Sequence, residues 1–165
     1  NICLAWRKMP LISFSIARSG DWIDREAAAV AGVDVAVMTR FKETKFDLSK
    51  VDHSDMKQSI LDIFYQEMIT HALTNFADKF NQLKREDIDV PLEIVVAGGT
   101  ASVPGFLTKF NEVLSVQTLP FKVKGVRLAT NPLYAVANGC LLKAINSEGK
   151  KQGETDEKAP EKKKK

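Results

Sequence analysis

The sequence predicts an α/β fold, and three observations carry that prediction. Two β-rich runs near the start, residues 2–7 and 11–17, are separated by the polar stretch Arg7-Lys8-Met9-Pro10, whose proline cannot donate to a strand ladder. A single long amphipathic pattern occupies the middle of the chain. Beyond it, Leu92, Ile94, Val95 and Val96 run into Gly98-Gly99 and then into a helical pattern, the order of a strand, a turn and a helix.

Taken in order, the first two runs predict a hairpin. Ser19-Gly20-Asp21 ends the second run, and Trp22, Ile23, Ala27 and Val30 recur at helical spacing until Gly32, a residue suited to a left-handed helix end. Residues 35–45 predict another short helix. Residues 46–53 carry turn residues, and Asp52 or Ser54 is placed to cap the next element. Met56, Ile60, Ile63, Phe64, Met68, Ala72, Phe76, Phe80 and Leu83 mark one apolar stripe on a helix of about eight turns. Its methionine and aromatic residues are core material, and His71 beside it reads as structural or surface. After Pro91 come a strand over residues 93–97, the glycine turn, a helix over 105–114 and a short strand near 121–126. A final helix runs from Asn131-Pro132 to Ile145, with proline in its first turn as helix starts prefer. There is no internal repeat.

Composition narrows the function classes. Of 165 residues, 44% are hydrophobic, enough for one core. From Lys150 onward seven lysines face four acidic residues, whereas residues 1–149 hold 17 basic and 17 acidic side chains. The basic excess therefore sits in the tail, and the folded body offers no electrostatic case for nucleic acid. Residues 1–146 read as the domain and 147–165 as a charged, disordered tail, too poor in apolar residues to offset its ordering entropy. Cys3 and Cys140 each sit in an apolar stretch without metal-ligand spacing, which predicts buried thiols in a reducing compartment. No apolar run is long enough to span a membrane and no signal-peptide pattern opens the chain, so the expected location is cytoplasmic.

The glycine turn carries the most chemistry. Neither Gly98 nor Gly99 has a Cβ, so backbone there can meet a flat ligand at contact distance, and the helix start that follows offers unpaired N–H groups. This makes it a candidate nucleotide-binding turn, with a plain strand-to-helix corner as the alternative. Asp21 and Asp24 form a possible acid and base pair, but a turn cap and a helix N-terminal charge account for them more simply.

Four pieces stand in sequence order: Ser19-Gly20-Asp21-Trp22-Ile23-Asp24 after the hairpin, Arg40-Phe41-Lys42-Glu43, the Gly98-Gly99 turn with Pro104, and Leu133-Tyr134-Ala135-Val136-Ala137-Asn138-Gly139. Together they resemble the C-terminal half of the nucleotide-binding domain of the actin-like ATPase superfamily. That superfamily includes actin, the seventy-kilodalton heat-shock chaperones, sugar kinases and prokaryotic actin homologues such as MreB, MamK, ParM and FtsA, the last group being the nearest. The resemblance implies an RNase-H-like α/β domain, a mixed sheet with packed helices, that is N-terminally truncated: a strand and its phosphate loop would end just before Asn1. Val95, Val96, Gly98, Gly99, Val103 and Pro104 match the superfamily's adenosine motif. The cofactor-binding residues implied are Gly98, Gly99 and Thr100, Lys42 near the nucleoside, and Gly20 and Asp21 in the turn after the hairpin. Ser19 stands where the superfamily has a glycine, and Thr39 where a glutamate is usual. Ala137 and Gly139 match the small residues at which the closing helix crosses a helix of the other half.

The same resemblance implies that the intact protein binds ATP with Mg²⁺ between two halves. Its partners would be the missing N-terminal half and further copies in a filament. No catalytic residue and no metal ligand is implied in this half, which alone should be inactive. A polymerising cytoskeletal or segregation ATPase is the leading reading. An assembly adaptor of the FtsA and PilM kind, a chaperone-type ATPase and a small-molecule kinase stay open.

Overall fold

The computed structural model describes residues 1–7, 9–83, 88 and 90–156, with side chains as far as Ser147. Its element order is β1 (Ile2–Trp6), β2 (Met9–Phe14), α1 (Gly20–Ala31), α2 (Val35–Thr44), α3 (Met56–Gln82), β3 (Leu92–Val96), a 3₁₀ turn (Gly99–Ser102), α4 (Phe106–Ser115), β4 (Val123–Leu128) and α5 (Ala135–Asp156). The expected hairpin forms, but its second strand begins earlier than expected and ends at Phe14 rather than Ala17. Met9 and Pro10 belong to β2, with Pro10 opposite Ala5 at a register shift between Leu4 and Ala5. Proline is tolerated there because the shift interrupts the ladder that its missing N–H would otherwise break. Arg7 closes the turn with a positive φ of 49°.

β3 and β4 pair in parallel, joined by the 3₁₀ turn and α4, which is the crossover a parallel pair requires. Among the described residues the strands make two separate two-stranded sheets, β1 with β2 and β3 with β4. Helix α3 ties them together: α1 and α4 pack along it, and the main core holds Ile23, Met38, Leu61, Tyr65, Ile69 and Phe106. A second cluster, with Leu4, Ile12 and Ile88 at its centre, seats the hairpin against Phe76, Phe80 and Leu83 at the far end of α3.

Several local expectations are corrected. The α3 cap is Asp55, whose carboxylate accepts from the amides of Lys57 and Gln58; Asp52 instead folds onto Ser54. The buried face of α3 is Ile60, Leu61, Asp62, Tyr65, Ile69 and Leu73, while Met56 and Ile63 are exposed. Ile60, Phe64, Met68, Phe76, Phe80 and Leu83 of the expected stripe pack in the two cores, while the most deeply buried line, Leu61, Tyr65, Ile69 and Leu73, lies one residue, roughly 100° of helix, around from it, on the side where α1 and α4 pack. Helix α5 starts at Ala135 rather than Asn131, since the carbonyl of Pro132 accepts the amide of Gly98 at 2.8 Å. Its backbone is helical to Asp156; the rest of the expected tail, residues 157–165, lies outside the described residues. Cys3 and Cys140 are exposed free thiols, not buried ones. Cys3 alternates with the inward Ile2 and Leu4 on β1, and α5 packs little against the rest of the fold. Among the described residues no helix is long and apolar enough to cross a membrane.

Candidate functional site

Four elements bring polar groups together at one point. Helix α1 begins at Gly20, and its Ser19 cap makes no side-chain hydrogen bond, so the first amides of the helix have no capping side chain. The 3₁₀ turn begins at Gly99, with Thr100 next to it. A Cβ placed on Gly20 would lie 2.5 Å from the Thr100 hydroxyl oxygen, so the bare backbone of Gly20 is what admits Thr100. Two residues far apart in the chain therefore meet. From α2, Lys42 reaches the same place: its Nζ is 2.6 Å from Asp24 Oδ1 and donates to the Gly20 carbonyl at 3.5 Å. From α3, the Tyr65 hydroxyl donates to the Thr100 carbonyl, also at 3.5 Å.

The Lys42–Asp24 pair is deeply set, both side chains being 8% exposed. Such a pair exists because either charge alone in that position would be strongly unfavourable. Tyr65 lies between the rings of Phe46 and Phe106, and burial, reinforced by the negative charges of Asp24 and Glu43, pushes its phenol pKa well above the usual value. The tyrosine is thus a neutral donor.

The glycine turn is held rather than free at its first residue. Gly98 takes φ 97°, ψ 168°, a region open in practice to glycine alone. Its amide donates to Pro132, and its carbonyl accepts from the Ala101 amide and the Ser102 hydroxyl. Gly99 is exposed, and a Cβ there would meet only Leu133 Cδ2 at 3.9 Å, an ordinary contact. Gly20, Lys42, Gly98, Gly99 and Thr100 are therefore gathered into one region. Asp21 is exposed on the first turn of α1, and Lys42 presents its ammonium to Asp24.

Asp24 and Tyr65 are the members of this cluster that the sequence reading did not assign to it. A signal for the pair is present in the sequence: Asp24 shares a helix face with Ile23, Ala27 and Ala28, and Lys42 shares one with Met38. Opposite charges on the apolar faces of two neighbouring short helices point to a buried ion pair. The same logic applies to Lys109 of α4 and Asp62 of α3, 2.6 Å apart and 12% exposed. Among the described residues no three His, Cys, Asp or Glu side chains converge to hold a metal ion.

The fold and this cluster define a mixed α/β protein whose first-helix start, α2 lysine and glycine turn share one wall. The family model for Volactin matches residues 1–144, and the chain belongs to that family. No curated protein and no solved structure matches it.

Proposed function

We propose that this chain forms one wall of an ATP-binding cleft in an actin-like protein, which assembles into filaments when its two halves are present. The observation that carries the reading is the meeting of Gly20 with Thr100. It joins the turn after the hairpin to the adenosine-type turn, the two pieces that the resemblance to actin-like ATPases assigns to nucleotide. The start of α1, which no side chain caps, lies beside this turn, and a helix start without a capping side chain suits an anion. In this reading Gly99 offers the flat, side-chain-free surface to the nucleoside. Thr100 and the α1 start face the phosphate side, and Lys42 positions the Gly20 carbonyl and Asp24 without touching ligand. The bound nucleotide would bring Mg²⁺ with its phosphates. The exposed apolar residues on and just before α5, among them Leu133, Tyr134, Leu141 and Ile145, support a facing half that covers this helix.

Titration of the full natural protein with ATP tests the reading, using Gly99→Val. The added side chain has room in the fold, so thermal stability should hold, while ATP affinity should fall about tenfold or more as the branched side chain enters the nucleoside surface. Unchanged affinity with retained fold would make the turn a corner only.

A further inference from the structure

The segment that leaves α2 is built against the far end of the glycine turn. Residues 46–49 bury Phe46 and Leu48 in the main core, while Ser49 stays exposed. The Leu48 amide donates to the Pro104 carbonyl at 2.8 Å. Gly105, at φ 79°, lies against the next peptide: a Cβ there would collide with the Ser49 amide nitrogen and stand 2.7 Å from the Leu48 carbonyl carbon. The start of α4 does not by itself call for glycine, since Ser, Thr, Asn and Asp cap helices well; the positive φ and the crossing backbone do. The segment also closes its own turn. The Asp47 carboxylate accepts from the Ser49 amide at 2.8 Å and from the Ser49 hydroxyl at 2.6 Å, and the Asp47 carbonyl accepts the Lys50 amide.

These contacts complete a circuit around the candidate site. Lys42 of α2 donates to the Gly20 carbonyl, Gly20 meets Thr100, and the chain runs on from Thr100 to Pro104 and Gly105. Those two residues return to Leu48 and Ser49, just beyond the end of α2. Across the circuit Tyr65 packs between Phe46 and Phe106 and donates to the Thr100 carbonyl. The turn is stiff in between, because the Gly98 carbonyl accepts from both Ala101 and Ser102. Gly99 is left exposed at its surface.

We infer that residues 46–49 act as a strap that sets the place of Gly99 and Thr100, and that Asp47 is a positioning residue for the ligand bound there. The inference rests on the nucleotide reading for that ligand, ATP. Asp47 does not touch it. A strap that loosens at Ser49 releases its hold on Pro104 and Gly105, and the short stiff turn carries that change back to Thr100. Linkage makes the effect reciprocal: a ligand that steadies Gly99 and Thr100 steadies the strap as well. The exposed turn of residues 47–50 is thus a surface point from which affinity for nucleotide can be tuned.

The test compares Asp47→Ala with Asp55→Ala in the full natural protein. Each removes a carboxylate that accepts from two donors, but Asp55 caps α3 and has no part in the circuit. Without nucleotide, the Leu48 and Ala101 amides of Asp47→Ala should exchange about threefold faster or more relative to those of Leu61 and Ile69, which report the core; in Asp55→Ala that ratio should not move. ATP affinity should fall about threefold or more in Asp47→Ala, hold in Asp55→Ala, and recover in Asp47→Asn, whose amide oxygen accepts the same bonds. Faster exchange confined to residues 48–50, or an affinity loss shared equally by Asp55→Ala, makes the strap a local brace and overturns the inference. ATP binding that ignores Asp47 overturns the strap alone. Failure of the wild type to bind ATP overturns the nucleotide reading and, with it, the role of Asp47 toward ligand, so the two failures are distinguishable.

Discussion

Lys42 and Asp24 show how a pair of charges can organise two helices at once. Each is on the buried face of its own helix, and together they hold α1 against α2 beside the Gly20 carbonyl. Removing one partner leaves a buried charge without compensation, so Lys42→Met should cost about 3–5 kcal/mol in urea unfolding, whereas Lys42→Met with Asp24→Leu should recover most of that loss. Tyr65 gives a second expectation at this scale. Below pH about 10 both folded and unfolded chains keep the phenol proton; above it the unfolded chain releases the proton and the folded chain, its pKa raised by burial, retains it. Stability should therefore fall as pH rises beyond that point. Comparing alkaline unfolding of the wild type with Tyr65→Phe checks this: the variant's stability should decline less steeply, by as much as ~1.4 kcal/mol per pH unit.

At the scale of elements, α3 depends on its start as much as on its face. Asp55 accepts from two first-turn amides, at 2.8 and 3.2 Å. Asp55→Ala should destabilise the protein by about 1 kcal/mol, measured by chemical denaturation, and Asp55→Ser should restore much of it. The helix itself, its length and its amphipathic character are legible from the spacing of apolar residues. Its buried side is less so: the apolar arc spans both the expected stripe and the observed one, and Phe64 and Met68 still pack partly against the core. Asp62 and Tyr65 look like solvent-facing residues until Lys109 and the Thr100 carbonyl are placed opposite them.

At the scale of the molecule, α3 is the common support of two small sheets, and α5 is the element with the least of its surface covered. Leu133, Tyr134, Val136, Leu141, Leu142 and Ile145 are all exposed, a concentration of apolar surface beyond the scattered exposure that is ordinary. Substitutions there should be nearly neutral for this chain. Leu141→Lys with Ile145→Lys should change unfolding free energy by no more than about 0.5 kcal/mol per site, while increasing the concentration at which the chain stays monomeric in sedimentation. A large destabilisation would mean that α5 folds back onto the core.

The sequence by itself determined what local chemistry determines. The hairpin follows from two β-rich runs around a polar turn, the end of α1 from Gly32 in its left-handed conformation, and the long helix from its periodicity. The strand and glycine turn at Gly98 follow from a residue type that alone accepts φ 97° with ψ 168°. Tertiary structure decided matters that depend on partners distant in the chain. Which face of α3 is buried was set by α1 and α4, because helical spacing defines a stripe only to within a residue when its neighbours are apolar too. The burial of Lys42 was set by Asp24, since a charge leaves water only when an opposite charge meets it. The exposure of Cys3 and Cys140 was set by the alternation of β1 and by the sparse packing around α5, which an apolar stretch of sequence does not reveal. The contact of Gly20 with Thr100 belongs to the same class: the resemblance assigns both to one site, but that the bare backbone of Gly20 admits the Thr100 side chain follows only from the packing of α1 beside the glycine turn.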